Sequence, residues 1–274
     1  MPELPEAETI VRDLRRQLPG RRVTAVHVRH ADVLGQGLDP ADLDAALKQR
    51  EIMDIERRGK NVVVVFDGQL RLMVNLGMTG RLVASEATRA GELRHVAVHL
   101  TLDDGAALLY DDARRFGRLD LHDAASWEER SQELGVEPLA PEFTAERLFT
   151  LTRRSKVTLR NWLLDQRRVA GVGNIYASEA LFRAGVRPTR RAGRLKRKEA
   201  GPLRDGLVAV LEEAIEWRGT TISDYRDGSG EPGGFNRRLR VYDRADEPCL
   251  TCGAPIKRVV LSNRSAYYCP ACQA

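Results

Sequence analysis

Three things are scarce in this 274-residue sequence. Aromatic residues make up only 5% of it, so its interior has to be packed mainly by Val, Leu, Ile and Ala. No stretch of about 18 consecutive apolar residues occurs, which leaves no candidate membrane-spanning helix. The N-terminal residues carry acidic and helical signals. They lack the basic stretch and apolar core of a secretory signal, so the chain is expected to remain in a reducing cytoplasm. Cysteine is scarcer still. There are four, and all lie in the last 26 residues, where they require a local explanation rather than a disulfide framework spread over the chain.

Against these absences stands a hydrophobic content of 42%, enough for a sizeable core, and a length that favours two domains over one. Lys and Arg number 44 against 39 Asp and Glu, a net charge of +5. Arginine dominates the basic count, which suits phosphate and base-edge contacts, although the charge alone is equally that of a soluble surface.

The hydrophobic pattern changes along the chain. Pro5 suits the first turn of a helix, Glu6 and Glu8 favour its positive end, and Ala7, Ile10, Val11, Leu14 and Leu18 recur at helical spacing until Pro19-Gly20. Strand-like runs follow at 22–28, 51–56, 61–66, 70–76, 81–84, 96–102, 106–110 and 118–122, with a short helix at 42–49 among them. Eight such runs call for closure as a sandwich or barrel. The rest is helical, with segments expected at 144–152, 157–166, 174–184 and 195–218, then a glycine-rich loop over 227–235. The expected organisation is α+β in two domains. An N-terminal helix and β-sandwich domain occupies 1–130 and a linker 131–143. A helical domain covers 144–236, and a cysteine segment 237–274.

Cys249-Leu-Thr-Cys252 and Cys269-Pro-Ala-Cys272 are two CxxC turns separated by 16 residues. That is the spacing of a tetrahedral four-cysteine zinc site, with each turn offering two thiolates. With all four positions filled by protein, the single zinc is structural, holding a hairpin over 254–268 that has too little core of its own. Arg258, Asn263 and Arg264 on that hairpin are candidate DNA contacts.

Taken in order, six elements form a recurring set. They are Pro2-Glu3-Leu4-Pro5-Glu6, Lys60 in Arg57-Arg58-Gly59-Lys60, Asn75-Leu76-Gly77-Met78-Thr79-Gly80, Asp112-Ala113-Arg114-Arg115-Phe116-Gly117, Gly171-Val172-Gly173-Asn174-Ile175-Tyr176-Ala177-Ser178-Glu179, and the four cysteines. Together they resemble the bacterial formamidopyrimidine-DNA glycosylases from Pro2 to Cys272. The resemblance implies a helix–two-turn–helix in the helical domain. It also implies a monomer, with double-stranded DNA carrying oxidised purines or abasic sites held between the two domains. The implied activity is glycosylase and abasic-site lyase, acting on 8-oxoguanine and formamidopyrimidines in base excision repair.

The resemblance also assigns roles. Pro2, freed of Met1, is the nucleophile, because a secondary amine near a sugar aldehyde carbon forms an electron-withdrawing iminium. Glu3 is the general acid and base, Lys60 the proton donor in β-elimination, and Arg264 the phosphate ligand assisting δ-elimination. His95, Lys156 and Asn174 contact DNA. Met78 and Phe116 are apolar wedges filling the hole left by the flipped nucleotide, and Arg114 reads the orphaned cytosine. The glycines of 228–235 suggest a lid over the flipped base. Three places depart from the family pattern: Asn75 where histidine is frequent, Ala113 where proline is, and Arg160-Asn161 where Lys-Pro is. The sister family, endonuclease VIII, shares the chemistry but acts on oxidised pyrimidines, and the Pro-Glu-Leu-Pro-Glu start and Arg114-Arg115-Phe116 argue against it. A non-catalytic zinc DNA-binding protein explains the cysteines but not Pro2-Glu3.

Overall fold

A computed structural model describes residues 2–85, 93–221, 225–228 and 230–274. It resolves into two compact units, residues 1–132 with 217–234, and 133–216 with 235–274. Segment 217–234, expected with the helical domain, thus belongs to the first unit, and the cysteine segment is part of the second rather than a body of its own.

The first unit starts with α1 (Leu4–Arg15). Eight strands follow: β1 (Val23–Val28), β2 (Ile52–Arg58), β3 (Asn61–Phe66), β4 (Arg71–Asn75), β5 (Arg81–Ser85), β6 (Val96–Leu102), β7 (Ala107–Asp111) and β8 (Arg118–His122). The helix α2 (Pro40–Leu47) lies between β1 and β2, with Asp39 capping it by accepting the Asp42 amide at 2.8 Å. The strands form two four-stranded antiparallel sheets, β1-β6-β7-β5 and β2-β3-β4-β8. Every strand contributes to one buried cluster that includes Val26, Ile55, Val64, Val74, Leu82, Leu100, Leu108 and Leu119, and α1 adds Ala7, Ile10, Val11 and Leu14. This is the aliphatic sandwich the composition demanded.

One helix, α3 (Ala124–Gln132), was not anticipated. It buries no residue, so it carries no strong apolar stripe. It is held at its start by Asp123, whose carboxylate accepts the Ser126 amide at 2.9 Å. Trp127 leans on His122 and under the Arg71 guanidinium.

The second unit contains α4 (Ala145–Thr152), α5 (Leu159–Leu164), α6 (Asn174–Arg183), α7 (Arg197–Glu216) and the hairpin β9 (Lys257–Leu261)–β10 (Arg264–Tyr268). Its few aromatics are used economically: Trp162, Tyr176, Phe143 and Phe235 are all fully buried, with Tyr176 and Phe235 rings 5.9 Å apart. Helix α5 is shorter than its apolar pattern because Thr158 has extended backbone as its N-cap and Asp165 ends it.

Candidate functional site

Glu3 is the N-cap of α1 and, like Pro2, is buried. Glu6 Oε2 accepts the Glu3 amide at 2.7 Å in a capping box, so the residues at the chain start are held by the helix they begin. The second Glu6 oxygen accepts the Thr220 amide at 2.7 Å. Glu6 therefore ties the N-terminal turn to segment 217–234. A further tie is Arg218, in left-handed backbone at φ +60°, which pairs with Asp13 of α1 at 2.5 Å and with buried Asp227 at 2.6 Å. Met1, whose removal the amine chemistry requires, lies outside the described residues. So do residues 222–224 and Ser229, the last within the expected lid.

Lys60 is the second residue of the two-residue turn joining β2 and β3, where Gly59 takes φ +60°. A chain of amides leads from this turn to the Met78 loop. Asn61 Nδ2 donates to Arg58 O at 3.0 Å, Asn75 Nδ2 to Asn61 Oδ1 at 2.7 Å, and the Gly77 amide to Asn75 Oδ1 at 3.1 Å. The asparagine that departs from the family pattern is thus a structural link.

Met78 is 40% exposed and Phe116 60%, so neither belongs to the sandwich core. The Arg114 guanidinium lies 4.5 Å over the Phe116 ring. His95 is exposed ahead of β6, its amide bound to Asp111 at 2.7 Å. Within this unit Met78 and Phe116 are exposed on loops that approach each other at Gly77 and Gly117, and Arg114 lies beside Phe116.

In the second unit Lys156 is exposed before α5, whereas the Asn174 side chain is engaged within the protein. Its Oδ1 accepts from Arg160 Nη2 at 2.6 Å, and its Nδ2 donates to Ser265 O at 2.9 Å. Arg160 is only 1% exposed and also donates to Asn161 Oδ1 at 2.8 Å, Leu261 O at 3.1 Å and Ser265 O at 3.2 Å. Asn161 Nδ2 reaches Ser262 Oγ at 2.8 Å. Ser262 and Asn263 have φ of 47° and 61°, the two positive values of a type I′ hairpin turn, and exposed Arg264 follows them. Arg160, Asn161 and Asn174 thus grip the turn that presents Arg264. Sequence reasoning named the Arg160-Asn161 departure without this role. It gave Glu6 only a helix-dipole role, although the Glu3-x-x-Glu6 spacing was a readable capping signal.

Buried Glu179 of α6 accepts the amides of Val241 and Tyr242, both at 2.9 Å, anchoring the entry to the cysteine segment. Burial pushes its carboxyl up, against those amide donors.

The Sγ atoms of Cys249, Cys252, Cys269 and Cys272 lie within 4.8 Å of one another. The Cys249–Cys272 and Cys252–Cys269 separations are 3.9 and 3.4 Å. A tetrahedron with Zn–S bonds of about 2.3 Å has edges of about 3.8 Å, so the cluster fits zinc. Burial opposes a Cys249 thiolate, but the Thr251 and Cys252 amides outweigh it and pull that thiol down to about 7. The local core is only Val241, Cys249, Ile256, Tyr267 and Cys269, too little to hold the segment alone. The metal is structural.

The sandwich with its capped N-terminal helix, the helical unit and the four-cysteine hairpin each match a domain of the DNA glycosylases of the helix–two-turn–helix class. The formamidopyrimidine-DNA glycosylase N-terminal domain matches residues 1–119, the H2TH domain of the same glycosylases 134–226, and the zinc finger found in FPG and IleRS 246–274. The chain is 42% identical over 273 residues to a formamidopyrimidine-DNA glycosylase of Solibacter usitatus, covering 100% of this chain and 99% of that one. It is 43% identical to that of Thioalkalivibrio sulfidiphilus, covering 100% of both. Among solved structures it is similar to the MutM (FPG) protein of Thermus thermophilus, with a TM-score of 0.87, 39% identity and coverage of 99% and 98%. It is also similar to Lactococcus lactis Fpg in complex with DNA containing an abasic site, with a TM-score of 0.90, 28% identity and coverage of 99% of each chain. The chain belongs to the formamidopyrimidine-DNA glycosylase family. No helix among the described residues is long and apolar enough to cross a membrane.

Proposed function

We propose that this protein removes oxidised purines from duplex DNA and then cleaves the strand, using the amine of Pro2. The observation that carries the reading is local: a residue-2 proline and an adjacent carboxylate, Glu3, form the buried, capped start of α1. An α-amino group titrates near pH 8, and the positive helix end further disfavours its protonated form.

With Met1 removed, the neutral Pro2 nitrogen attacks C1′ of a flipped nucleotide, and the C1′–N9 bond breaks with its electrons going to the purine, which departs with the proton that the Pro2 nitrogen sheds. The sugar C1′–O4′ bond then opens. O4′ takes a proton from Glu3, and the nitrogen lone pair forms the iminium. Loss of a C2′ proton sends electrons toward the iminium and expels the 3′ phosphate. Loss of a C4′ proton expels the 5′ phosphate, and water releases Pro2. Lys60 supplies a proton at the sugar-phosphate during the first elimination, and Arg264 neutralises the phosphate leaving in the second. Zinc, held by Cys249, Cys252, Cys269 and Cys272, fixes the hairpin that carries Arg264.

His95, Lys156 and the α6 start at Asn174 contact the phosphate backbone, which sets affinity rather than sequence. Met78 and Phe116 fill the vacated stack, and Arg114 donates to O2 and N3 of the orphaned cytosine. Adenine places an amino donor there, so excision opposite adenine is disfavoured.

Borohydride reduction with abasic-site DNA tests the core claim. The processed protein is expected to be trapped covalently at residue 2, and a form that retains Met1 to bind DNA without trapping, since an amide nitrogen forms no iminium. Trapping by wholly unprocessed protein overturns the assignment.

A further inference from the structure

The proposed wedge grows from two separate loops, 76–80 and 112–117. Both are organised by a residue that no role above uses. Asp112 is 1% exposed. Its Oδ1 accepts the Thr79 hydroxyl at 2.5 Å and the Arg114 amide at 3.2 Å. Its Oδ2 accepts the Gly117 amide at 2.9 Å and the Tyr110 hydroxyl at 3.0 Å. Burial, and then the Asp112 charge, push the Tyr110 phenol up, so it remains a donor at any working pH. One carboxylate therefore closes the 112–117 turn through its two amides and binds the neighbouring loop through Thr79.

The loops also touch. Gly77 has φ +60°, and a Cβ there would stand 2.4 Å from Gly117 N and 2.5 Å from Phe116 C. Only glycine allows that approach. The Arg114 amide has a second acceptor in Thr79 Oγ1, also at 3.2 Å. Thr79 is thus the sole hydroxyl joining the Met78 loop to both Asp112 and Arg114 among the described bonds.

We propose that Asp112 is a positioning residue for opposite-base recognition, and that it acts by coupling the Met78 loop to Arg114 and Phe116 so that they enter the duplex as one body. The inference rests on the wedge reading given above. A carboxylate suits the task because it accepts from four donors, three on the two loops and one, Tyr110, at the end of β7. Uncoupled, Arg114 samples several directions, and its contact with cytosine no longer outweighs its contact with adenine.

The test compares kcat/KM for 8-oxoguanine opposite cytosine and opposite adenine in Arg114→Ala, Asp112→Ala, Asp112→Asn and Thr79→Val. Active fractions are normalised by borohydride trapping on single-stranded abasic DNA. Asp112→Ala and Thr79→Val are expected to lower the cytosine preference by about tenfold, within the range of a lost base-edge contact. In Asp112→Asn the amide oxygen can stay with Gly117 and Tyr110 while Nδ2 donates to Thr79 Oγ1, but the Arg114 amide then keeps only its Thr79 acceptor, so this variant is expected to recover part of the preference. Combining Thr79→Val with Arg114→Ala is expected to add little to Arg114→Ala alone, because coupled residues are not additive. A flat response to Arg114→Ala overturns the wedge reading itself. Loss of preference in Arg114→Ala, with full preference retained in Asp112→Ala and Thr79→Val, overturns only the coupling. Should Asp112→Ala not fold, Thr79→Val, which removes one hydroxyl from a half-buried position, decides the matter alone.

Discussion

Replacing Arg160 by Met removes a buried guanidinium while keeping most of its aliphatic volume. Among the described residues the wild-type group donates at least five hydrogen bonds: two to Asn174 Oδ1, and one each to Asn161 Oδ1, Leu261 O and Ser265 O. Bonds from a charged donor are worth about 1.5–3 kcal/mol each. They do not sum, because removing the cation also removes the cost of burying it. The loss that remains falls on the acceptors. The Ser265 carbonyl keeps its Asn174 Nδ2 donor, so the loss is centred on the Leu261 carbonyl at the entry to the Ser262-Asn263 turn, which replaces its charged donor by water only if the hairpin tip lifts from α5 and α6. A net loss of about 1.5–3 kcal/mol in tip docking follows, or roughly 10- to 150-fold in its opening equilibrium. Amide exchange across 257–268 reads this opening directly, and the ratio of β- to β,δ-elimination products reads its consequence at Arg264. Arg160→Met is expected to accelerate exchange in the hairpin, leave it unchanged in the sandwich, and shift products toward β-elimination. Arg160→Lys keeps the charge but not the planar fork, and its exchange falls between the two. Wild-type exchange and product ratio in Arg160→Met would refute the claim that this side chain holds the tip.

Serine at Cys249 or Cys269 is expected to release zinc and unfold the cysteine segment, since metal binding there is folding energy; near-UV circular dichroism and metal analysis should show the loss while the sandwich still melts cooperatively. Arg218→Ala leaves Asp13 and Asp227 without their shared cation. Because the Arg218 side chain is 42% exposed, the cost is discounted to about 1–3 kcal/mol in denaturant melts. Arg218→Gly should lose about 1 kcal/mol less, because glycine relaxes at φ +60°. For Glu8, burial raises the carboxyl but the Arg12 and Arg57 guanidiniums more than reverse it, so it titrates below its ordinary 4.5. The stabilisation is therefore fully present above 4.5 and lost as pH falls through the lower folded value. Wild type should lose more stability than Glu8→Gln between pH 7 and pH 3, and equal losses would remove Glu8 from the acid response.

What was legible in the sequence was whatever a local period encodes. The strands 61–66, 96–102 and 118–122 begin and end with their local patterns, an unbroken valine run in the first and alternating apolar residues in the other two. The CxxC pairs specify a tetrahedron because each turn fixes two thiolates before any tertiary contact forms. Period fails where an element has little to bury. Helix α3 has no buried residue, so its only sequence mark was the Asp123-x-x-Ser126 cap. It fails again where a segment leaves its neighbours in the chain. Residues 217–234 follow α7 directly, yet they join the first unit, through bonds from Glu6 to Thr220 and from Arg218 to Asp13 that span more than 200 positions.

The residues whose roles the sequence did not disclose share a physical task, and their charges follow from it. A side chain that meets DNA has to be exposed, so its own packing cannot fix it, and the backbone beneath it has to be held instead. Around 112–117 the turn directs amide hydrogens inward, at Arg114 and Gly117, and the residue that collects them is a carboxylate, Asp112. At the hairpin tip the strands direct carbonyls inward, at Leu261 and Ser265, and the residue that collects them is a guanidinium, Arg160. At the chain start the free groups are again amides, of Glu3 and Thr220, and Glu6 takes both. In each case the buried charge is opposite to the partial charge the backbone presents. Reversing it, as in Asp112→Lys or Arg160→Glu, should cost more than truncating it, because the new group would be buried against like partial charges with no donor or acceptor to match.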